Sequence, residues 1–135
     1  MEEGSDMRVK SIYETVIYAS DLEKMVDFYR EVLGLKLIRQ SNLLLVFECP
    51  PGVLLIFDPE KASKPGRDVP SHGSEGAGHI AFSAEYKDFD AWRDQLQSHS
   101  VEIEKEVDWG GDAHSIYFRD PAGNSLELAT PTLWG

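Results

Sequence analysis

The chain contains an internal repeat, and this repeat constrains the possible folds more than any other feature of the sequence. The segment Phe47-Glu-Cys-Pro-Pro-Gly52 resembles Phe118-Arg-Asp-Pro-Ala-Gly123. Upstream, Glu14-Thr-Val-Ile-Tyr-Ala-Ser20 lies over His79-Ile-Ala-Phe-Ser-Ala-Glu85. Because the similar segments follow the same order in both halves, we expect two copies of one supersecondary unit.

Each half shows the same order of local patterns: a strand, a helix and then several strands. Residues 13–19 are β-branched and aromatic, as is typical of a strand. Apolar residues then recur at helical spacing from Asp21 to Leu33, followed by Gly34 as a stop. We therefore expect an α+β protein. The other predicted elements are strands near 35–39, 43–47 and 53–57, then a strand at 79–84, a helix at 88–98 and strands near 101–105, 114–119 and 125–129.

A change in composition separates the two units. We expect a first module at 10–59 and a second at 79–131, within 135 residues that form one domain overall. Residues 60–78 are rich in Gly, Pro and Ser and are predicted to be a crossover loop that acts as a linker or a lid. Residues 1–9 are expected to be a flexible N-terminus, and residues 132–135 a C-terminal tail.

Charge and composition exclude several classes of partner. The 24 acidic and 13 basic residues give a net charge of −11, which repels nucleic-acid phosphates and attracts cationic small molecules. Cys49 is the single cysteine, so no disulfide can form within the chain. No apolar run approaches the roughly 20 residues that span a bilayer, and the acidic start does not resemble a signal peptide. We expect a cytoplasmic protein with a small-molecule partner and no nucleic-acid or membrane partner.

Strand alternation places three ionisable side chains on one face of the predicted sheets. In the strand at 79–84, Ile80 and Phe82 are expected to pack on a helix, which turns His79 to the other side. The same alternation turns Glu127 and Glu14 to that side, among small and apolar neighbours. This pattern predicts a ligand-sized hollow, and the alternative is the solvated face of an antiparallel sheet.

These segments together resemble the vicinal oxygen chelate superfamily, which includes glyoxalase I, extradiol dioxygenases, fosfomycin-resistance enzymes and bleomycin-resistance proteins. The resemblance implies two βαβββ modules, whose mixed and antiparallel sheets curl around a cavity that holds a divalent metal ion. The segments that carry it are Glu14-Thr-Val-Ile-Tyr-Ala-Ser-Asp-Leu22, Phe28-Tyr29, Leu33-Gly34-Leu35, Gly78-His79-Ile-Ala-Phe82 and Tyr117-Phe-Arg-Asp-Pro-Ala-Gly-Asn-Ser-Leu-Glu-Leu128.

The resemblance also implies which residues bind the metal, because this family takes its ligands from the first and last strands of each module. The matching positions are Glu14, Leu55, His79 and Glu127, of which all but the leucine can bind a metal ion. Leu55 departs from the glyoxalase I pattern, and Glu14 departs from that of the extradiol and fosfomycin-resistance enzymes. An imidazole and two carboxylates suit Ni²⁺, Zn²⁺, Mn²⁺ or Fe²⁺. Without a metal, His79 would be a hydrogen-bonded structural histidine and both glutamates would be solvated.

Three functions are compatible with these residues. The first is a metal-dependent enzyme of the glyoxalase type, a lyase or isomerase that acts on a small molecule with two neighbouring oxygens, with Glu14 and Glu127 as catalytic carboxylates. The second is a metal-free protein that binds a cationic drug, as bleomycin-resistance proteins do. The third is an Fe²⁺ extradiol dioxygenase, which the single histidine disfavours.

The first hypothesis assigns further residues to the substrate cavity. The alternative for His114 is a position at the solvent edge, and His72 belongs either to a lid or to a solvated loop. The resemblance implies a homodimer, and the sequence leaves open whether the modules pair within one chain or across two. The side chains expected to line the cavity are Tyr18, Leu55, Phe57 and His114.

Overall fold

Two four-stranded sheets, each with a helix on one face, make up the fold in a computed structural model that describes residues 7–8 and 10–134. The expected flexible start at 1–9 lies mostly outside the described residues, and Gly135 of the expected tail lies outside them too. The strands are β1 Glu14–Tyr18, β2 Lys36–Gln40, β3 Leu44–Cys49, β4 Gly52–Phe57, β5 His79–Ser83, β6 Ile103–Gly110, β7 Ala113–Arg119 and β8 Ser125–Ala129. The helices are α1 Leu22–Asp27, α2 Pro59–Ala62 and α3 Phe89–Ser98.

The two sheets have the same topology and the same register. Their strand orders are β1-β4-β3-β2 and β5-β8-β7-β6, and in each sheet only the first-named pair is parallel. Glu14 lies opposite Val53 in the first sheet, just as His79 lies opposite Ser125 in the second. This arrangement confirms the predicted α+β fold with two βαβββ modules and mixed, open sheets.

Local sequence signals set the ends of the helices. The Asp21 side chain accepts a hydrogen bond from the Lys24 backbone N–H, which satisfies one of the free donors at the start of α1. The helix then continues as a π-helical turn over Phe28–Val32. It ends before Gly34, whose φ of +72° is a conformation that glycine adopts without strain. In the second module a 3₁₀ turn at Tyr86–Asp88 precedes α3.

The helix-covered faces of both sheets share one apolar core, so the modules pack against each other within the chain. The Phe28 and Phe118 rings, one from each module, have centroids 6.4 Å apart. A buried hydrogen bond of 2.8 Å runs from the Tyr29 hydroxyl to the Asp120 carboxylate, across the junction. Burial, together with the negative charge of Asp120, raises the pKa of the Tyr29 phenol far above its usual range. The phenol therefore stays protonated and continues to donate.

The predicted crossover loop contains a short helix. Asp58 caps α2 by accepting hydrogen bonds from the backbone N–H groups of Glu60 and Lys61, and Pro59 occupies the first turn of this helix. Farther along, the backbone N–H of His72 donates to the carbonyl of Ala62. These contacts hold part of the loop against the first module. Over the described residues, no helix has both the length and the apolar character that crossing a bilayer requires.

Candidate functional site

Each sheet has a face that turns away from the shared core, which we call its distal face. In the second sheet, Ile80, Phe82, Leu126 and Leu128 belong to the core cluster. Because side chains alternate along a strand, the residues between them point to the distal face. The distal side chains of β5 and β8 are His79, Ala81, Ser83, Ser125, Glu127 and Ala129. Small side chains therefore surround two ionisable ones.

His79 and Glu127 form the centre of this face. The Nε2 atom of His79 lies 3.2 Å from Oε1 of Glu127, and the side chains are 50% and 8% exposed respectively. On the other side of the imidazole ring, Nδ1 lies 3.0 Å from the backbone carbonyl oxygen of Ser125. A carbonyl can only accept, so Nδ1 carries the proton and donates. In the neutral histidine, Nε2 therefore presents its lone pair to the carboxylate.

This geometry fits a bound cation. A lone pair on Nε2 and a carboxylate oxygen repel each other at 3.2 Å unless a proton or a metal ion lies between them. Imidazole nitrogen and carboxylate oxygen bind Zn²⁺ at about 2.0 to 2.2 Å. Two such ligands at an angle between octahedral and tetrahedral values have donor atoms roughly 3.0 to 3.4 Å apart. His79 and Glu127 have the chemistry and the spacing of two ligands of one divalent ion.

A chain of hydrogen bonds holds the other oxygen of Glu127. The fully buried hydroxyl of Ser115 donates to Oε2 of Glu127 over 2.6 Å. The same hydroxyl oxygen accepts a hydrogen bond of 3.0 Å from the indole N–H of Trp109. Glu127 is thus fixed at Oε2 by Ser115, while Oε1 faces His79.

Tyr117 lies beside this pair and was not identified from the sequence. Its ring is stacked near that of His79, with centroids 6.4 Å apart and planes inclined by 24°. Burial, followed by the charge of Glu127, raises the pKa of the Tyr117 phenol. Strand alternation held the signal that would have found it, because Ile116 and Phe118 are core residues and the alternating positions Ser115 and Tyr117 must face the other way.

The distal face of the first sheet is apolar and partly covered. Leu55 and Phe57 are buried together with Ala62 of α2. The Tyr18 hydroxyl lies 2.7 Å from Nδ1 of His72, and the His72 ring meets the Phe57 ring edge-on at a centroid distance of 4.5 Å. Three of the four predicted cavity residues therefore lie together on this sheet. The crossover loop covers them, with His72 as its point of attachment.

Glu14 does not join His79 and Glu127 within one chain. It lies exposed at the start of β1, at the first-sheet position that corresponds to His79. Across residues 7–8 and 10–134, no group of three His, Cys, Asp or Glu side chains is close enough to hold a metal ion. One chain thus brings together two of the three predicted ligands.

The structure places His114 differently from the expected cavity position. His114 alternates with Ser115, so its side chain points to the helix-covered face. There its Nε2 lies 3.0 Å from Oε1 of Glu106, and its ring packs edge-on against Phe89 at 5.5 Å. The alternation with Ile116 and Phe118 indicates this side, because both of those residues are in the core.

Comparison with known proteins connects this geometry to a family. A model of the Glyoxalase/Bleomycin resistance protein/Dioxygenase superfamily matches residues 11–128. The metallothiol transferase FosB of Lysinibacillus sphaericus (strain C3-41) is 35% identical over 130 residues, which cover 94% of this chain and 86% of that protein.

Solved structures share this fold. The crystal structure of lactoylglutathione lyase from Agrobacterium tumefaciens has a TM-score of 0.90 and 35% identity, and the match covers 96% of this chain and 99% of that chain. The fosfomycin resistance protein FosX of Listeria monocytogenes, in complex with Mn(II) and sulfate, has a TM-score of 0.70 and 22% identity, and the match covers 94% of each chain.

Among these similar proteins, a metallothiol transferase and a FosX structure in complex with Mn(II) agree with the predicted divalent-metal cofactor. The family match covers both modules, and so it includes the distal faces of both sheets. The chain belongs to the glyoxalase/bleomycin resistance protein/dioxygenase superfamily, as the sequence resemblance predicted.

Proposed function

We propose that the chain is a divalent-metal-dependent enzyme that acts on a small molecule with neighbouring oxygen atoms, together with a low-molecular-weight thiol. The observation that carries this proposal is the approach of His79 Nε2 and Glu127 Oε1 to 3.2 Å on an accessible face. Thiol chemistry is proposed because the two most informative relatives, a metallothiol transferase and a lactoylglutathione lyase, both carry a thiol compound in their names.

In this proposal the metal ligands are His79 and Glu127 of one chain and Glu14 of a second copy. β1 and β5 lie at the edges of their sheets. Glu14 and His79 occupy equivalent register positions at the start of those strands. A homodimer with the β1 edge of one copy beside the β5 edge of the other would bring a Glu14 to each His79–Glu127 pair.

The bound ion would polarise two substrate oxygens and stabilise the negative charge that develops on them. The residues of the chain would perform the other tasks. His79 keeps its Nε2 lone pair available because Nδ1 donates to the Ser125 carbonyl. Glu127 and Glu14 are the proposed general bases, which accept a proton from the substrate or the thiol. Tyr117 lies beside His79, and its phenol can donate a hydrogen bond to a substrate oxygen.

The first sheet would supply the apolar wall of the cavity. Tyr18, Leu55 and Phe57 lie on its distal face beneath the crossover loop, and they would oppose the metal in the dimer once that loop moves aside. His114 is not part of the proposed wall because its ring packs against Phe89 on the helix-covered face.

Metal content tests the proposal. The purified parent protein, His79→Ala and the matched control His99→Ala are dialysed against Mn²⁺, Ni²⁺ or Zn²⁺ and analysed by plasma mass spectrometry. His99 is an exposed histidine at the end of α3, away from the site. We expect stoichiometric metal in the parent and the control, and its loss in His79→Ala. A parent protein that binds none of these ions, but does bind a cationic drug, would favour the metal-free alternative and overturn the proposal.

Activity assays then distinguish the reactions. The metal-loaded protein is supplied with a thiol and fosfomycin, or assayed for formation and cleavage of lactoylglutathione. Loss of turnover in Glu127→Gln is expected whichever substrate is accepted, because the substitution removes a carboxylate that is both a proposed metal ligand and a proposed base. Turnover that persists in this variant would contradict the role of Glu127. Uptake of O₂ with a catechol and Fe²⁺ would instead favour the dioxygenase alternative.

A further inference from the structure

We propose that Trp109 and Ser115 are positioning residues that hold the Glu127 carboxylate so that only Oε1 faces His79. This inference rests on the proposed function, because it assigns a task to two residues that stand behind a proposed metal ligand. Neither residue would touch the metal ion. Each would act through the carboxylate.

The direction of the hydrogen bonds supports this role. The Ser115 hydroxyl has one proton and two lone pairs. Because the indole N–H of Trp109 can only donate, it occupies a lone pair of the hydroxyl oxygen. The proton of Ser115 is then directed to Oε2 of Glu127, at 2.6 Å, a short distance typical of a charge-assisted bond. Glu127 therefore presents Oε1 alone to the accessible side.

A β-bulge supplies an independent observation. Both sheets have an irregular register at equivalent places, between Leu37 and Arg39 in the first and between Ile103 and Lys105 in the second. The second sheet alone has another such irregularity, between Asp108 and Gly110, and Trp109 is the extra residue there. A bulge reorients the side chain that it inserts, and bulges are frequent beside active sites.

The packing of Trp109 indicates that its indole group is not needed as a core residue. Its side chain is 52% exposed, although its N–H group reaches the fully buried Ser115. The corresponding position to Ser115 in the first sheet is Leu44, which neither accepts nor donates through its side chain. The hydrogen-bonded chain is therefore a feature of the sheet that carries the proposed metal ligands, and not a requirement of the fold.

The test measures Mn²⁺ affinity by electron paramagnetic resonance in the full chain for the parent, Trp109→Phe, Ser115→Ala and the control Trp134→Phe. Substitutions of residues that orient metal ligands typically weaken metal affinity by about 10- to 100-fold. We expect a loss in this range for Ser115→Ala and a loss of about 10-fold for Trp109→Phe. Trp134 is 93% exposed, and we expect its variant to bind like the parent.

A spectroscopic signal separates positioning from a loss of folding. In ¹⁵N-labelled protein, diamagnetic Zn²⁺ should shift the indole N–H resonance of Trp109 in the parent but not in Ser115→Ala. The midpoint of thermal unfolding is recorded for every variant, to show that each one folds. Unchanged Mn²⁺ affinity in both Trp109→Phe and Ser115→Ala would overturn this proposal alone. A parent that binds no metal would overturn the proposed function and this inference with it.

Discussion

The two sheets share one backbone pattern but present opposite chemistry on their distal faces. In the second sheet the distal positions carry a histidine, a serine, a tyrosine and a glutamate that approach one another. In the first sheet all but one of the corresponding positions are apolar. The corresponding pairs, first sheet and then second, are Glu14 and His79, Leu44 and Ser115, Val46 and Tyr117, and Leu55 and Glu127.

This difference shows how a repeated fold can divide its tasks. The first sheet uses its distal face for a second, smaller apolar cluster, which α2 and His72 cover. In the second sheet, the distal face includes the nearly buried carboxylate of Glu127. Burial of this charge is unfavourable, and the hydrogen bond from Ser115 offsets part of the desolvation penalty. One distal face thus carries a buried apolar cluster, and the other carries the residues for which we propose a metal-binding role.

The largest expected effect on stability comes from removing the centre of the small cluster. Phe57→Ala should lower the free energy of unfolding by about 3 to 5 kcal/mol, because a buried aromatic ring is lost and a cavity remains. Urea denaturation measures the change. The control is Tyr86→Ala, which removes an aromatic ring that is 53% exposed, and which should cost much less. Equal costs for the two variants would contradict the assignment of a second core to this face.

The turns between the last two strands of each module offer a second comparison. Asp120 accepts hydrogen bonds from the Tyr29 hydroxyl, the Asn124 side chain and the backbone N–H groups of Ala122 and Asn124. Its counterpart in the first module is Cys49, which lies half-buried. Asp120→Ala should cost about 3 kcal/mol in urea denaturation, because it leaves buried donors without an acceptor. Cys49→Ala should cost about 1 kcal/mol or less. A reversed order would show that the junction does not depend on Asp120.

Much of the fold follows from the sequence, because its signals are local. Asp21 caps the start of α1, and Gly34 follows the π-helical turn at its end, as predicted. The repeat predicts the shared register of the two sheets. Alternation also places His79 and Glu127 on one face. The contact of His72 with Tyr18 joins residues far apart in the chain, so no local pattern predicts it.

Other parts of the site depend on features that alternation and spacing do not encode. The bulge at Trp109 adds a residue to β6 next to Gly110, whose φ is +108°, and strand alternation alone does not predict where such an extra residue lies. The position of Glu14 relative to the other ligands depends on how whole modules or whole chains pack. Position along a strand predicts which face a side chain occupies, but not which distant side chain it meets.

A smaller effect is expected where the crossover loop is attached. Tyr18→Phe removes the hydrogen bond to His72 while it keeps the ring against Phe57. The loss of one partly buried hydrogen bond should cost about 1 kcal/mol. We expect faster limited proteolysis within 63–78 and little change elsewhere, measured by mass spectrometry of the fragments. Unchanged cleavage rates would indicate that His72 does not hold the loop.

The smallest expected effect on stability comes from an ion pair on the helix-covered face of the second sheet. Among the described residues, the second module alone has an ion pair between its helix and a strand. Arg93 of α3 pairs with Glu106 of β6, and His114 lies 3.0 Å from the same carboxylate. Hydrogen bonds from Arg93 lower the pKa of Glu106 below its ordinary value of 4.5. The stabilisation is therefore present above that value and lost as the pH falls through the lowered pKa.

Glu106→Gln should cost less than about 1 kcal/mol at pH 7, because the pair is partly solvated. The difference from the parent should shrink in acid, once the parent carboxylate is itself protonated. Urea denaturation at several pH values measures both the cost at pH 7 and its decrease in acid. A difference that grows as the pH falls would contradict this assignment.

We propose that one divalent ion binds between His79 and Glu127 on the distal face of the second sheet. The most direct test is the anomalous scattering of crystals grown with Zn²⁺. We expect an anomalous peak in every protomer at about 2.0 to 2.2 Å from both His79 Nε2 and Glu127 Oε1. A peak at any other site, with the His79–Glu127 contact left directly hydrogen-bonded and free of metal, would contradict it.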